Sequence, residues 1–396
     1  MIILYQGCEK LSYIAKRHQN GNGVEEMMES ADQKHLYTDV IDLSLGDPDL
    51  NTSQIVIDKT FKDASNGYTQ YAPALGDPDL IQAIKDEYLN SYQYSLNTNE
   101  IMVTTSGCHA MWLVLETILD PEDEVILLAP YFTPYPEQVR LAQGKPVIVN
   151  TLPENNFELD IHDLKQAITN KTKAIIINTP CNPTGVCMSK DKLQEIADVA
   201  KLHDLLVIAD DIYTVYDYAS DFYPITILED MRKRVITIRS FSKDYCMSGW
   251  RIGYVLAPKE IISAMRSVNE SNVFVAPIIS QRAAYHALSH KKEIGSMVHD
   301  IYKERADYVY ERVKGISYLS LSKPQGSLYI FLDIRKSKET SKSFAKKLFE
   351  KYHISVIPGT AFGNIGEGFV RIALREDIPV LKKVFDLLEQ DKEWSL

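Results

Sequence analysis

One lysine in the segment SFSKDYCMSGWRIGY, residues 240–254, has neighbours that could give it a chemical role. Lys243 follows the hydroxyl residues Ser240 and Ser242 and precedes Arg251 by eight positions. A lysine amine can form a Schiff base with a carbonyl compound. Hydroxyls and a guanidinium bind phosphate oxygens. A lone lysine in a serine-rich turn is more often a solvated surface residue, so its role depends on the rest of the chain.

Other side chains of possible function follow the apolar runs of the sequence. In open α/β sheets, ligands bind beyond the carboxyl ends of the strands. A small-residue turn before a helix also offers backbone amides to an anion. The candidates are Phe132 and Tyr135 after EVILLAP (124–130), Asn182 after KAIIINTP (173–180), Asp210 and then Tyr213 after LLVIA (205–209), and TTSG (104–107) before a helix.

This set of groups matches the needs of pyridoxal 5′-phosphate. Its aldehyde needs a lysine, and its pyridine nitrogen needs a carboxylate that keeps the nitrogen protonated. Its phosphate needs backbone amides, hydroxyls and a guanidinium. The sequence therefore predicts a pyridoxal-phosphate site in which Lys243 bonds the cofactor, while Ser240, Ser242 and Arg251 hold its phosphate.

The elements that position these groups follow from the apolar pattern. Between about residues 100 and 260, short runs rich in Val and Ile alternate with helical segments, which predicts a mainly parallel sheet covered by helices. Asp77 and Pro78 predict the start of a helix, and residues 24–36 predict another. The last hundred residues alternate strands and helices in a pattern that predicts a smaller α+β layer.

Composition limits the possible partners and location. The chain has 396 residues and a formal net charge of −11, so nucleic acid and anionic membranes are poor default partners. No apolar run is long enough to span a bilayer. The five cysteines are scattered without a CxxC pair, which predicts reduced thiols in a cytoplasmic protein. The nine histidines lack metal-ligand spacing, so no metal site is predicted.

Four motifs together point to a family. SFSKxxxxxGWRIGY, NTPCNPTG, IADDIY and FVRIAL resemble, in order, the class I/II aminotransferases of the fold-type I pyridoxal-phosphate enzymes, such as the aspartate and aromatic aminotransferases. The resemblance runs in register from about residue 40 to 390. It implies a large cofactor-binding domain at 45–290 and a small domain formed by 1–44 and 291–396. It also implies a homodimer with shared active sites.

The resemblance also implies roles for individual residues. Lys243 forms the Schiff base and then moves a proton, with Asp210 and Tyr213 as the other catalytic residues. Asp210 pairs with the pyridine nitrogen, Asn182 and Tyr213 bind the ring oxygen, and Phe132 stacks on the ring. The phosphate is bound by Ser106, Gly107, Cys108, Ser240, Ser242 and Arg251, and by Tyr71 from the neighbouring subunit. Arg371 binds the substrate α-carboxylate with Asn182 and the backbone of Gly46.

Three features depart from the family pattern. Ser106 stands where a glycine is frequent, Asp211 stands where relatives often have glutamate, and the first forty residues match poorly. We expect Asp211 to have a structural role.

The leading functional prediction is an aminotransferase that moves the amino group of an L-amino acid to a 2-oxo acid by ping-pong kinetics. A lyase, such as a C–S β-lyase, would use the same lysine and aspartate and release a keto acid without an amino acceptor. A non-catalytic regulator on this fold would usually carry a DNA-binding domain, for which the forty residues before the matched region are too few and the charge is of the wrong sign. A nicotinamide dehydrogenase would need a GxGxxG motif, which the sequence lacks. The sequence identifies no second cation for a dicarboxylate substrate, and its aromatic residues allow a neutral or aromatic donor.

Overall fold

The computed structural model describes residues 37–394, so the helix predicted at 24–36 lies outside the described residues. Twelve strands are formed within the described part. They are β1 (Ile41–Asp42), β2 (Ile101–Thr104), β3 (Glu124–Ala129), β4 (Lys145–Asn150), β5 (Thr172–Asn178), β6 (Leu206–Asp210), β7 (Val235–Ser240), β8 (Gly253–Leu256), β9 (Tyr329–Asp333), β10 (Ile354–Ser355), β11 (Ile357–Pro358) and β12 (Phe369–Ala373).

Helices connect these strands. Within residues 37–394 they are α1 (Gln54–Ser65), α2 (Pro78–Tyr92), α3 (Gly107–Ile118), α4 (Tyr135–Leu141), α5 (Ile161–Ala167), α6 (Lys190–Leu202), α7 (Phe241–Asp244), α8 (Lys259–Glu270), α9 (Ile278–Ser289), α10 (Lys291–Val313), α11 (Ser341–Tyr352) and α12 (Ile378–Gln390). The predicted start of α2 is confirmed, because the Asp77 side chain accepts a hydrogen bond from the backbone of Asp79 and Pro78 is the first helical residue.

Seven strands form the main sheet, in the order β2-β8-β7-β6-β5-β3-β4. The pairs from β7 across to β4 are parallel, whereas β8 runs antiparallel to both of its neighbours. Helices cover both faces, as the apolar runs predicted. On β5, Ile176 packs in a cluster with Ala110 and Val114 of α3, whereas Ile175 and Ile177 pack in a cluster that contains residues of α6. The α/β fold prediction is therefore confirmed.

A smaller layer contains the remaining strands. β11, β12 and β9 form an antiparallel sheet in that order, and β1 pairs in parallel with β10. The Ala373 amide also donates to the Leu43 carbonyl at 2.7 Å. Residues 41–43 are thus joined to the C-terminal strands, which agrees with a small domain built from both ends of the chain. The boundaries 1–44, 45–290 and 291–396 stay a prediction.

None of the helices within residues 37–394 combines the length and the apolar character needed to span a bilayer.

Candidate active site

A cleft of about 240 Å³ lies at the carboxyl ends of the parallel strands, and we call it the active cleft. The structure brings nearly all of the predicted site residues together there. The predicted residues that line it are Gly46, Ser106, Gly107, Cys108, Phe132, Asp210, Tyr213, Ser240, Ser242, Lys243, Arg251 and Arg371. Asn182 contacts two of these residues, and Tyr71 lies elsewhere on the surface.

Lys243 reaches the active cleft from α7, the short helix that follows β7. The Ser240 side chain caps this helix by accepting a hydrogen bond from the Ser242 amide at 3.2 Å. The Lys243 amine donates a hydrogen bond to the carbonyl oxygen of Gly46. A side chain at Gly46 would overlap the hydroxyl of Tyr329, so this close approach requires glycine. The lysine amine is therefore held at a fixed place in the cleft.

Asp210, the last residue of β6, is a buried carboxylate with one oxygen in use. Its Oδ2 accepts a hydrogen bond from the Tyr135 hydroxyl, while its buried Oδ1 has no partner among the described residues. Burial raises the pKa of Asp210 to about 7, and the Tyr135 hydrogen bond acts against this rise. The free oxygen is suited to a cationic N–H donor, which would restore the charged form.

Asn182 connects two functional side chains. Its position is fixed because its backbone N–H donates to Asn178 Oδ1 at 2.8 Å. Asn182 Oδ1 accepts from Arg371 Nη1 at 3.2 Å, and Asn182 Nδ2 donates to the Tyr213 hydroxyl at 3.5 Å. Arg371 comes from β12, and its Nη2 donates to the Ser44 carbonyl at 2.5 Å. A guanidinium buried this deeply needs anionic or carbonyl partners, because burial lowers its pKa.

An anion cup is formed where α3 begins. The Ser106 side chain caps this 12-residue helix by accepting from the His109 amide at 3.2 Å. The amides of Gly107 and Cys108 belong to the first turn and have no acceptor within the helix. Arg251 lines the same cleft with a left-handed φ of 52°, and its Nη1 donates to the Ser248 carbonyl at 2.9 Å. Helix amides and a guanidinium together suit a phosphate.

Arg239, Asp211 and Asp244 form a cluster of buried charged side chains that packs against the segments carrying Tyr213 and Lys243. Arg239 Nη2 donates to Thr214 Oγ1 at 3.0 Å, and Thr214 Oγ1 donates to Asp244 Oδ2 at 2.6 Å. Burial raises the pKa of Asp211 to about 7 and that of Asp244 to about 6, while Arg239 lowers both. The cluster joins the segment after β6, which carries Tyr213, to α7. Asp211 thus has surroundings that suit the structural role expected for it.

Sequence reasoning missed several residues of the active cleft. Tyr329, the first residue of β9, has its ring centroid 5.9 Å from that of Tyr213, and the Arg371 guanidinium carbon lies 4.4 Å from the Tyr329 ring centre. The sequence marks Tyr135 only as an aromatic residue after a strand and does not predict its bond to Asp210. Ile212, between two predicted residues, and Gln138, on α4, also line the cleft. The strand pattern could not have identified Tyr329. Alternation of apolar and polar residues shows which face of a strand is buried, but it does not show which distant residues pack against that face.

Tyr71 lies outside the active cleft of its own subunit. Its side chain is 82% exposed, and its ring edge packs against Phe274 with centroids 5.2 Å apart. Phe274 itself is half exposed. The two rings form an exposed aromatic pair, an unusual feature for a surface that faces only water.

Comparison with known proteins places this geometry in a family. Residues 38–384 match the family described as aminotransferase class I and II, and the chain belongs to it. An aspartate aminotransferase of Pyrococcus abyssi is 37% identical over 356 residues, which cover 89% of this chain and 91% of that protein. The predicted family and the predicted aminotransferase chemistry are therefore confirmed.

Two solved structures show the same fold. The aromatic aminotransferase of Pyrococcus horikoshii superposes with a TM-score of 0.86 at 36% identity, over 91% of this chain and 98% of that one. The aspartate aminotransferase of Thermus thermophilus, solved with maleate, superposes with a TM-score of 0.89 at 31% identity, over 95% and 99% of the two chains. These similarities extend across both layers of the fold.

Proposed function

We propose that this aminotransferase binds pyridoxal 5′-phosphate through Lys243 and transfers the amino group of an L-amino acid to a 2-oxo acid. The observation that carries the proposal is the pairing of an amine and a half-satisfied carboxylate in one cleft. Lys243 and Asp210 line the same cavity, and Asp210 Oδ1 is buried without a partner among residues 37–394.

The residues present fit this cofactor. The partnerless Asp210 oxygen suits the protonated pyridine nitrogen, which would lower the carboxylate pKa from its raised value of about 7. Phe132 and Ile212 line the cavity as apolar surfaces for the two faces of the ring. Tyr213 and Asn182 supply a hydroxyl and an amide for the ring oxygen.

The phosphate of the cofactor fits the anion cup at the start of α3. The lining of the cleft includes Ser106, Gly107 and Cys108 at the start of α3, together with Ser240, Ser242 and Arg251. The positive end of the α3 dipole favours a dianion there. Arg251 is exposed, so it can turn from the Ser248 carbonyl to a phosphate without breaking a buried contact.

The bound cofactor supplies an aldehyde for amine exchange and a ring that accepts electrons from the substrate Cα. The chain's own groups do the rest. Arg371 and Asn182 would bind the substrate α-carboxylate and so orient the Cα–H bond towards Lys243. Once freed, the Lys243 amine would take the proton from the substrate Cα as a base and then donate it as an acid to the cofactor carbon bonded to the amino nitrogen. Asp210 would keep the ring nitrogen protonated throughout.

The donor in this proposal carries an uncharged side chain. Three cations line the active cleft within residues 37–394: Lys243, Arg251 and Arg371. In this proposal Lys243 serves the reaction, Arg251 binds the cofactor phosphate and Arg371 binds the substrate α-carboxylate. Aspartate would then bind without a cation for its second carboxylate in this part of the chain. This assignment would be contradicted if aspartate and glutamate were the only amino acids that made the absorbance band of the bound cofactor disappear.

The proposal includes a homodimer. The exposed Tyr71 ring suits a contact with a second copy, and its hydroxyl would then reach the phosphate in the neighbouring active cleft. An interface that contributes a residue to each site would make the dimer the active unit.

The test is the visible absorbance of the protein loaded with pyridoxal phosphate, followed as amino acids are added one at a time. A band that one donor converts stoichiometrically, and that a 2-oxo acid then restores, supports transamination. A band that persists while keto acid and ammonia accumulate would mean a lyase and would contradict the proposal. Parallel lines in double-reciprocal plots would show the expected ping-pong order.

A further inference from the structure

The hydroxyl of Tyr329 lies at the point where several groups of the active cleft meet. It donates a hydrogen bond to the Gly46 carbonyl at 3.4 Å, and Lys243 donates to the same oxygen. Tyr213 is its neighbour: the two ring centroids lie 5.9 Å apart, and burial together with the Tyr329 hydroxyl raises the pKa of Tyr213. Tyr329 is buried, and it belongs to the antiparallel layer rather than to the main sheet.

These bonds have a consistent direction. Asn182 Nδ2 donates to the Tyr213 hydroxyl. Tyr329 uses its proton on Gly46, so its oxygen is left to accept the proton of Tyr213. The chain therefore runs from Asn182 through Tyr213 and Tyr329 to the Gly46 carbonyl, where it meets Lys243. Hydrogen bonds arranged head to tail in a dry interior strengthen one another, so a change at one link alters the next.

We propose that Tyr329 is a positioning residue for the reaction: its hydroxyl fixes the Gly46 carbonyl that holds the Lys243 amine when this amine is not bonded to the cofactor, and it sets how strongly Tyr213 donates to the cofactor ring. This inference rests on the proposed function. Its chemical content is a single phenolic hydroxyl that controls both the lysine and the ring oxygen from a different layer of the fold.

The ring and the hydroxyl of Tyr329 have separate tasks. The ring faces the Arg371 guanidinium, whose carbon lies 4.4 Å from the ring centre, and so supports the carboxylate-binding cation. The hydroxyl serves Gly46 and Tyr213. Replacement by phenylalanine removes only the hydroxyl, which makes Tyr329→Phe a selective test.

Two variants and one control define the experiment. Tyr329→Phe deletes the hydroxyl. Gly46→Ala keeps it but adds a methyl group that would overlap it and displace it. Tyr318→Phe is the control, since Tyr318 is also buried and its hydroxyl donates to the Leu388 carbonyl at 2.6 Å, away from the cleft. Each protein is loaded with pyridoxal phosphate, and its visible absorbance is titrated with pH.

The expected result is a lower midpoint in the absorbance titration of Tyr329→Phe, by about half a pH unit or more, because Tyr213 then donates its proton to the ring oxygen alone. We expect kcat to fall about tenfold, the size of effect that one orienting hydrogen bond gives. The KM for the amino acid should change less than about threefold, because the ring still faces Arg371. Gly46→Ala should share the lower midpoint, and Tyr318→Phe should match wild type.

The outcomes separate this inference from the proposed function. A wild-type protein that shows no visible band with pyridoxal phosphate would overturn the proposed function and this inference with it. A normal wild-type band with a Tyr329→Phe midpoint equal to or above that of wild type would overturn this inference alone. Loss of the fold in Tyr329→Phe would transfer the decision to Gly46→Ala, where an unchanged midpoint has the same meaning.

Discussion

The Tyr135 hydroxyl donates a hydrogen bond to Asp210 Oδ2 and leaves Asp210 Oδ1 buried without a partner among the described residues. The two residues lie 75 positions apart, one at the start of α4 and the other at the end of β6. The bond aims the carboxylate and favours its charged form, since it lowers a pKa that burial has raised. A protein that never held a cation there would gain from an apolar residue in place of this aspartate.

Tyr135→Phe should weaken the binding of pyridoxal phosphate about tenfold, because Asp210 loses the hydrogen bond that favours its charged form. Titration of the visible absorbance with cofactor measures the change. Tyr318→Phe, which loses a buried hydroxyl elsewhere, serves as the control. An affinity equal to that of wild type would show that Tyr135 does not support the carboxylate.

Asp210→Asn should stabilise the cofactor-free protein at high pH. The folded-state pKa of about 7 exceeds the ordinary value of 3.8, so between these values the folded protein holds a proton that the unfolded chain releases. Stability contributed by Asp210 therefore falls as pH rises through this window. The Tm of the variant minus that of wild type should therefore grow from about pH 4 to about pH 8. The variant should also lose cofactor binding, because it lacks the carboxylate.

The control for that experiment is Asp198→Asn. Asp198 lies on the surface of α6, and hydrogen bonds from Lys201 and Gln194 lower its pKa, so the sign of its pH dependence is opposite. A Tm difference for Asp210→Asn that does not change with pH would mean that burial does not raise the pKa of Asp210.

Arg371→Lys should lower kcat/KM for the amino acid about a hundredfold, since an ammonium cannot make the paired contacts that a guanidinium makes with a carboxylate. Steady-state kinetics measure this effect, and cofactor affinity should stay within about twofold of wild type because the ring contacts remain. An equal loss of cofactor binding would instead mean that Arg371 supports the cleft as a whole.

Mixing two inactive variants tests the shared active site. We expect Tyr71→Ala and Lys243→Ala to be weak or inactive alone. After dissociation and random reassociation, about a quarter of the sites should be complete, because half of the dimers are hybrids with one intact site each. Recovery of activity after mixing measures this. If activity stays at the sum of the two separate proteins, Tyr71 does not serve the neighbouring subunit.

Much of the fold could be predicted because its cause is local. The runs that became β3, β5, β6 and β7 are apolar on both sides, and such runs favour strands buried between helices. Most candidate residues could be found because they follow those strands, and the carboxyl ends of parallel strands meet at one edge. Asn182, Asp210 and Lys243 were all located in this way.

The remaining features depend on contacts between distant parts of the chain. Tyr329 meets Gly46 across 283 positions, and Asp210 meets Tyr135 across 75. The raised pKa of Asp210 is a consequence of complete burial, which follows from packing and not from the local pattern. The exposed pairing of Tyr71 with Phe274 joins two segments that the sequence does not relate.

The most direct test of the central claim is to identify the lysine that bonds the cofactor. The protein is loaded with pyridoxal phosphate, reduced with borohydride, digested and analysed by mass spectrometry. We expect the cofactor mass on the peptide that contains Lys243, and none on Lys243→Ala. Attachment to a different lysine, or no attachment to a folded wild-type protein, would contradict the account.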